Sequence, residues 1–130
     1  MSATNQAVRL SNVLAGAAAA KLGADIVAMD VSEPLGIADV FLLVTASNDR
    51  QASAIVDMID EVATGVGEQV LRREGDDDFR WVLLDLGDVV VHVMLPDERA
   101  LYSLERIWKD APRLPLDAEA GLPAGLVGVS

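Results

Sequence analysis

The sequence predicts a three-layer α/β/α domain built on a mixed five-stranded sheet. The chain has 130 residues, which is the usual size of one domain. Apolar residues make up 52% of the chain and aromatic residues only 4%, so aliphatic side chains must build the core, as in sheet-and-helix proteins. Helical and strand-like segments follow one another in the order αββαβββα, which allows helices to cover both faces of one sheet.

The first element is a helix over residues 4–22, where apolar residues recur at helical spacing around an alanine-rich middle. Gly23 supplies its C-terminal stop signal. Strands are predicted next at residues 26–31 and 40–45, separated by a loop that contains proline and glycine. The second of these strands is apolar on both faces, so we expect it to lie in the centre of the sheet, covered by helices.

A second helix is predicted to start at Asn48, because Asn48 and Gln51 have the spacing of a capping box. Its apolar residues form one stripe that ends before Gly67. After this helix, residues 69–73 have the composition of a short strand, and residues 74–78 are predicted to form an acidic turn.

The last part of the domain is predicted to be a hairpin followed by a helix. Two apolar strands, at residues 79–86 and 89–95, are joined by Gly87-Asp88, and this spacing predicts a tight turn. Pro96 is a favourable first helical residue, and residues 97–108 carry apolar side chains at helical spacing. We therefore expect one continuous final helix.

The predicted domain covers residues 1–110, and the rest of the chain differs from it in composition. Residues 111–130 are rich in proline and glycine and have no period, so we expect a mobile C-terminal tail. No run of apolar residues approaches the roughly 18 needed to cross a membrane, and the N-terminus lacks the basic segment of a secretory signal. The expected location is the cytoplasm, without membrane association.

The charge of the chain favours a protein partner over a nucleic acid. Its net charge is −11, and it has 21 acidic residues against 10 basic ones. Binding to nucleic acid depends mainly on contacts between Lys or Arg and phosphate, so direct RNA binding is not expected. An acidic protein of this kind would instead be attracted to a basic protein surface.

Candidate catalytic and metal-binding residues are few. The chain has no cysteine and one histidine, His92, so it cannot form the usual zinc site, and no cofactor is expected. Neither Ser47 nor Ser53 lies in a Gly-x-Ser-x-Gly turn, and Ser47 is better placed to satisfy backbone N–H groups at the start of a helix. The acidic run at residues 76–78 falls in a turn, where adjacent carboxylates usually face solvent. We therefore predict that the protein is not an enzyme.

The aromatic residues are more informative because most of them lie close together in the sequence. Trp81 is in the last hairpin, and Tyr102 and Trp108 are in the last helix together with Arg99 and Arg106. Each aromatic residue taken alone is more often part of a core. As a group with arginines they also fit a protein-binding surface, in which Trp, Tyr and Arg are typical anchors. Sequence alone leaves both interpretations open.

Several motifs of the chain can be compared with known families. They are Ala38-Asp39-Val40-Phe41, then Ser47-Asn48-Asp49-Arg50-Gln51, then residues 81–93 (WVLLDLGDVVVHV), and finally Arg99-x-x-Tyr102-x-Leu104-Glu105-x-x-Trp108. In this order, over about residues 7–110, the chain resembles the ribosomal silencing factor family, also called Iojap-like. His92 matches the family pattern without an assigned chemical role.

The resemblance implies a nucleotidyltransferase-like fold without the catalytic pair of those enzymes, and a homodimer. It implies a partner, the fourteenth ribosomal protein of the large ribosomal subunit, whose occupation would sterically block joining of the small subunit and lower translation under nutrient limitation. The partner-binding positions of the family fall on Trp81, Leu86, Asp88, Arg99, Tyr102, Glu105 and Trp108.

Two other functions remain open at the level of sequence. A metal-dependent nucleotidyltransferase-like enzyme is suggested by the implied fold alone, but a fold does not establish a function. Loss of metal-dependent nucleotide turnover on changing Asp85 or Asp88 would favour that enzyme. A dimeric scaffold without a ribosomal role is the other alternative. Co-sedimentation with large ribosomal subunits would separate these three functions.

Overall fold

The computed structural model of this chain describes residues 3–35 and 38–116. Their helices are α1 (Asn5–Ala20), α2 (Ser32–Leu35), α3 (Asp49–Gly65), α4 (Pro96–Tyr102) and α5 (Leu104–Ile107). Their strands are β1 (Ala24–Asp30), β2 (Val40–Thr45), β3 (Arg72–Glu74), β4 (Trp81–Asp85), β5 (Val89–Met94) and β6 (Arg113–Leu114). Within the described ranges, no helix is both long enough and apolar enough to cross a membrane.

The strands form one mixed sheet in the order β3-β4-β5-β2-β1-β6. The pairing of β2 with β5 is parallel, and the other neighbouring strands pair antiparallel. The mixed α/β architecture and the central position of β2 are confirmed, and every residue of β2 is buried. The predicted count of five strands is wrong, because the described residues already form a sheet of six.

The additional strand is β6, at the beginning of the predicted tail. It pairs with β1, where Ala28 lies opposite Leu114, and the backbone N–H of Asp30 donates to the carbonyl of Pro112 at 2.8 Å. A strand of two residues has no alternation that a sequence pattern could show, so it was missed. The prediction of a mobile tail for residues 117–130 lies outside the described residues.

The two faces of the sheet are covered very differently. One face, which we call the helix-covered face, packs against α1 and α3, which lie side by side. Its buried residues include Val40, Leu42 and Val44 of β2 and Val89, Val91 and Val93 of β5. Each such side chain contributes about 1.5–3 kcal/mol to folding when it is fully buried. This face therefore supplies most of the core.

The opposite face, which we call the open face, carries the alternate residues of the same strands. They are Val27 and Met29 of β1, Phe41 and Leu43 of β2, Trp81 and Leu83 of β4, and Val90, His92 and Met94 of β5. Leu104 of α5 packs on this face, and Trp108 and Ala111 lie beside it. Helices thus occur on both faces, as predicted, but the third layer is small.

The last helix is not continuous, contrary to the prediction for residues 97–108. It is interrupted at Ser103, which has left-handed backbone angles with φ 37° and ψ 60°. The interruption turns Leu104 into the open face, while Leu101 and Ile107 stay 75% and 63% exposed. The apolar spacing of the segment did not show this, because serine is only a weak turn former and a single serine does not interrupt a helical pattern.

The capping box at the start of α3 is confirmed in a modified form. The side-chain oxygen of Asn48 accepts the backbone N–H of Gln51 at 2.8 Å. The side-chain oxygen of Gln51 accepts from the backbone N–H and the hydroxyl of Ser47, and its amide N–H donates to the carbonyls of Lys21 and Leu22. Gln51 therefore fixes the start of α3 against the end of α1.

Candidate functional site

The open face carries a continuous row of aromatic and imidazole rings. Tyr102 contacts Trp81 with ring centroids 4.8 Å apart, and Trp81 contacts His92 at 6.0 Å. His92 in turn contacts Phe41 at 4.8 Å, and Phe41 meets Trp108 edge to face at 6.0 Å. The row runs from a buried centre, at His92 and Phe41, to Tyr102, which is 47% exposed. Three predicted partner-binding residues are thus brought together.

The position of Trp81 depends on the turn between β3 and β4. Gly75 has a φ of +85° there, and a Cβ atom on it would lie 1.9 Å from the carbonyl oxygen of Trp81. The same turn holds Phe79 at a φ of 59°, and the N–H of Phe79 donates to the carbonyl of Gly75. Only glycine fits this close approach, and the start of β4 is fixed by it.

We expect Gly75→Ala to lower the free energy of unfolding by about 2–4 kcal/mol, because it adds a steric clash to a left-handed backbone. Chemical denaturation measures this change. Gly67→Ala is the matched control, because Gly67 also has a positive φ, of +84°, but nothing lies within 4 Å of the added atom. That control should lose only about 1 kcal/mol. Equal losses of stability in the two variants would show that the backbone around Gly75 shifts and relieves the clash with the carbonyl of Trp81.

His92 lies beneath Trp81, and its polar atoms are buried. The indole N–H of Trp81 donates to Nδ1 of His92 at 3.1 Å, and Nε2 has no hydrogen-bond partner among the described residues. An indole nitrogen can only donate, so Nδ1 must accept and the imidazole proton must be on Nε2. Burial lowers the pKa of His92 to about 4, so the ring is neutral at neutral pH.

The depressed pKa of His92 predicts a pH dependence of stability. The unfolded chain takes up a proton below its ordinary pKa of 6.5, whereas the folded chain resists protonation until about 4. The contribution of His92 to stability is therefore fully present above pH 6.5 and is lost as the pH falls toward 4. Between about pH 7.5 and about pH 5 the free energy of unfolding should fall by about 2 kcal/mol.

Denaturation at a series of pH values measures this slope, and the chain has no second histidine that could contribute to it. His92→Phe should remove the slope, because phenylalanine does not titrate. A slope of the same size in His92→Phe would assign the effect to other groups.

Arg99 and Glu105 form an internal ion pair across the interruption at Ser103. The Arg99 side chain is only 10% exposed, and its Nε and Nη2 atoms both lie 3.0 Å from the Glu105 carboxylate. Arg99 also donates to the hydroxyl of Thr45 and to the carbonyl of Asp25. Hydrogen bonding from Arg99 holds the pKa of Glu105 below its ordinary value. The geometry gives this pair the role of holding α4 and α5 in place.

The two remaining predicted site residues lie apart from the row of rings. Leu86 is buried on the helix-covered face, and Asp88 is exposed in the turn between β4 and β5. The carbonyl of Asp88 accepts the backbone N–H groups of Asp39 and Val40. Five strand steps separate Leu86 from Trp81, which corresponds to roughly 16 Å. The predicted residues therefore do not form one patch.

Other apolar residues around the rings were missed as site residues. Leu83 and Val90 are half-buried on the open face, and Leu83 lines a cavity of about 280 Å³ together with Trp81. Their two-residue spacing from Trp81 and His92 could have identified them. Leu101 and Ile107 are exposed, although they belong to the apolar spacing from which the final helix was predicted. The exposed surface is thus more apolar than the predicted residues alone indicate.

The acidic run in the turn after β3 has local partners. Asp76 lies 3.5 Å from Arg73, and the Asp78 carboxylate accepts the backbone N–H of Arg80. In the part of the chain that the structure describes, no three His, Asp or Glu side chains are grouped closely enough to hold a metal ion. The hydrogen bond at Asp78 helps to shape the turn.

Comparison with known proteins gives consistent matches over most of the chain. The family model that matches residues 4–124 is described as "Ribosomal silencing factor during starvation". A protein of Bacillus subtilis named ribosomal silencing factor RsfS is 46% identical over 105 residues, which cover 81% of this chain and 89% of that protein.

Two crystal structures are similar to this fold. One, from Chromobacterium violaceum, has a TM-score of 0.75 and 32% identity, and the match covers 77% of this chain and 83% of that one. The other, from Bacillus halodurans, has a TM-score of 0.71 and 37% identity, and the match covers 87% of this chain and 100% of that one. The extent of the family match and the identity to the Bacillus protein establish that this chain belongs to the ribosomal silencing factor family.

Proposed function

We propose that this protein silences translation by binding the fourteenth ribosomal protein of the large subunit and sterically blocking the joining of the small subunit. It does so in the cytoplasm when nutrients are limiting. The protein acts by binding, needs no cofactor and catalyses no reaction. The names of its relatives support ribosomal silencing as the broad role.

The observation that carries the proposal is the exposed end of the ring row. Trp81 is only half-buried, and its ring contacts the ring of Tyr102, which is 47% exposed. Trp and Tyr are enriched among the residues that dominate binding energy at protein interfaces. The surface therefore suits a protein partner.

The predicted partner-binding residues contribute in different ways. Trp81, Tyr102 and Trp108 supply the contact surface on the open face. Asp88 supplies an acidic contact at the far hairpin turn, where Leu86 beneath it holds the turn on the core. Arg99 of α4 and Glu105 of α5 hold these two helices together; Tyr102 is the last residue of α4, and Trp108 directly follows α5.

The net charge of −11 predicts salt-sensitive association with a basic partner. Electrostatic steering raises the association rate and is screened when the Debye length falls from about 10 Å at 0.1 M salt to about 3 Å at 1 M. We expect the association rate to fall at least about tenfold over that range, measured by stopped-flow fluorescence with large subunits. The dissociation rate should change less. An association rate that is indifferent to salt would exclude steering.

Sedimentation through a sucrose gradient tests the proposed function directly. The protein should move with isolated large subunits, and its excess should prevent them from joining small subunits. Val66→Ala is a suitable control variant, because Val66 is an exposed apolar residue at the end of α3, away from the ring row. It should bind like the parent. A parent protein that stays at the top of the gradient would refute the proposal.

Two further parts of the proposal rest on the resemblance alone. These are the homodimer and the nucleotidyltransferase-like character of the fold without its catalytic pair. Light scattering after size-exclusion chromatography measures the oligomeric state, and a mass of one chain of 13.8 kDa would refute the dimer.

A further inference from the structure

His92 is a buried polar residue that the proposed function leaves without a role. It lies on β5, in the middle of the open face, between Leu83 of β4 and Leu43 of β2. Its side chain is enclosed, and its ring contacts are with Phe41 and Trp81. An apolar residue would fill such a position without burying polar atoms. The imidazole therefore needs a reason other than packing.

The hydrogen bond between Trp81 and His92 fixes the orientation of the indole ring. The torsion that turns an aromatic ring has broad minima, so a half-buried tryptophan can occupy more than one orientation. A bond of 3.1 Å from its N–H to a buried Nδ1 selects the orientation in which the nitrogen edge points inward. The part of the indole left for a partner is then carbon, which suits an aliphatic side chain.

The same bond also affects Tyr102, because Tyr102 packs on the indole with ring centroids 4.8 Å apart. Binding costs less when interface side chains are already held in their bound conformation. A buried acceptor that holds Trp81, and through it Tyr102, would therefore raise affinity without touching the partner.

We propose that His92 is a positioning residue of the ribosome-binding surface. Its Nδ1 accepts the indole N–H of Trp81, so that the carbon edge of this indole is presented to the partner together with Tyr102. This inference rests on the proposed function. It is separable from that function, because the hydrogen bond can be observed in the free protein.

Two variants separate the hydrogen bond from the shape of the side chain. His92→Phe keeps an aromatic ring but has no acceptor. His92→Asn is smaller, but its side-chain oxygen can occupy the position of Nδ1. Ile59→Val, in the core of the helix-covered face, serves as a control that lowers stability without altering the open face.

The first measurement is nuclear magnetic resonance of the full-length ¹⁵N-labelled protein. The chain has 2 tryptophans, so two indole N–H signals are expected, and Trp81→Phe identifies the one from Trp81. That proton should exchange slowly with solvent in the parent and in His92→Asn, and about tenfold or more faster in His92→Phe, since its acceptor is removed. Ile59→Val should leave it unchanged.

The second measurement is affinity for large ribosomal subunits by sedimentation. His92→Phe should bind roughly five- to tenfold more weakly, while His92→Asn and Ile59→Val stay within about twofold of the parent. In a Trp81→Phe background, which has no indole N–H, changing His92 to Phe should have no further effect.

The outcomes are distinguishable. A parent protein that does not bind refutes the proposed function. A parent that binds, together with a His92→Phe variant that loses the bond but binds equally well, overturns the role of His92. If His92→Phe does not fold, His92→Asn decides. The inference is overturned if His92→Asn keeps the indole hydrogen bond but binds weakly, or loses this bond but binds as well as the parent.

Discussion

Arg99→Ala should lower the free energy of unfolding by about 3 kcal/mol, because it leaves a carboxylate without its partner in a partly enclosed site. The Arg99 side chain is 10% exposed, and its guanidinium donates hydrogen bonds to Glu105, Thr45 and the carbonyl of Asp25. Its removal leaves hydrogen-bond acceptors on three separate segments without their donor. The loss should therefore resemble that of a buried ion pair rather than of a surface contact.

Denaturation of Arg99→Ala, Glu105→Ala and the double variant measures this pair. The double variant should be less destabilised than the sum of the single ones by about 1 kcal/mol or more, because the second change removes a group that has already lost its partner. Arg72→Ala is the matched control. Arg72 pairs with Glu74 at 3.0 Å, but its side chain is 62% exposed, so the loss should stay below about 1 kcal/mol.

The same variants separate positioning from direct contact. If Arg99 were a contact of the partner, Arg99→Ala would fold as stably as the parent and bind large subunits poorly. A positioning role predicts the loss of stability first, with weaker binding as its consequence. An unchanged free energy of unfolding would contradict the ion pair described above.

Much of the fold followed from sequence patterns, and the parts that did not have physical reasons. The central strand β2 and helix α3 were predictable because long apolar periods and capping signals are local properties of the chain. The strand β6 depends on pairing with β1, which lies far away in sequence. The ion pair of Arg99 and Glu105 spans the interruption at Ser103, and Arg99 also contacts Thr45, which is too distant in sequence for a local pattern to encode.

The candidate site was predictable in its residue types but not in its arrangement. The sequence singled out Trp81, Tyr102 and Trp108, and the structure brings them to one face. It could not show that Arg99 turns inward, because arginine is common both at interfaces and in internal ion pairs. The separation of Leu86 from Trp81 could have been predicted, because residues five positions apart in one strand point to opposite faces of the sheet.

The row of rings also explains why its members should respond differently to truncation. Trp108 contacts Phe41 and packs on the core of the open face, so Trp108→Ala should lower the free energy of unfolding by about 2 kcal/mol, less than a fully buried tryptophan would. Its effect on binding should come partly from that loss of stability and partly from the contact surface that is removed.

Trp81→Ala and Tyr102→Ala, by contrast, should lower affinity for the large subunit by about 30-fold or more, which corresponds to about 2 kcal/mol. Tyr102 is 47% exposed, and Trp81 is half-buried, so both variants should remain folded. Thermal unfolding establishes that, and sedimentation with large subunits followed by a subunit-joining assay measures the binding. Removing either ring deprives the other of a ring contact at 4.8 Å between centroids, so the double variant should lose little more than each single one. If both single variants move with large subunits as completely as the parent does, the partner binds elsewhere and the open face is not the ribosome-binding surface.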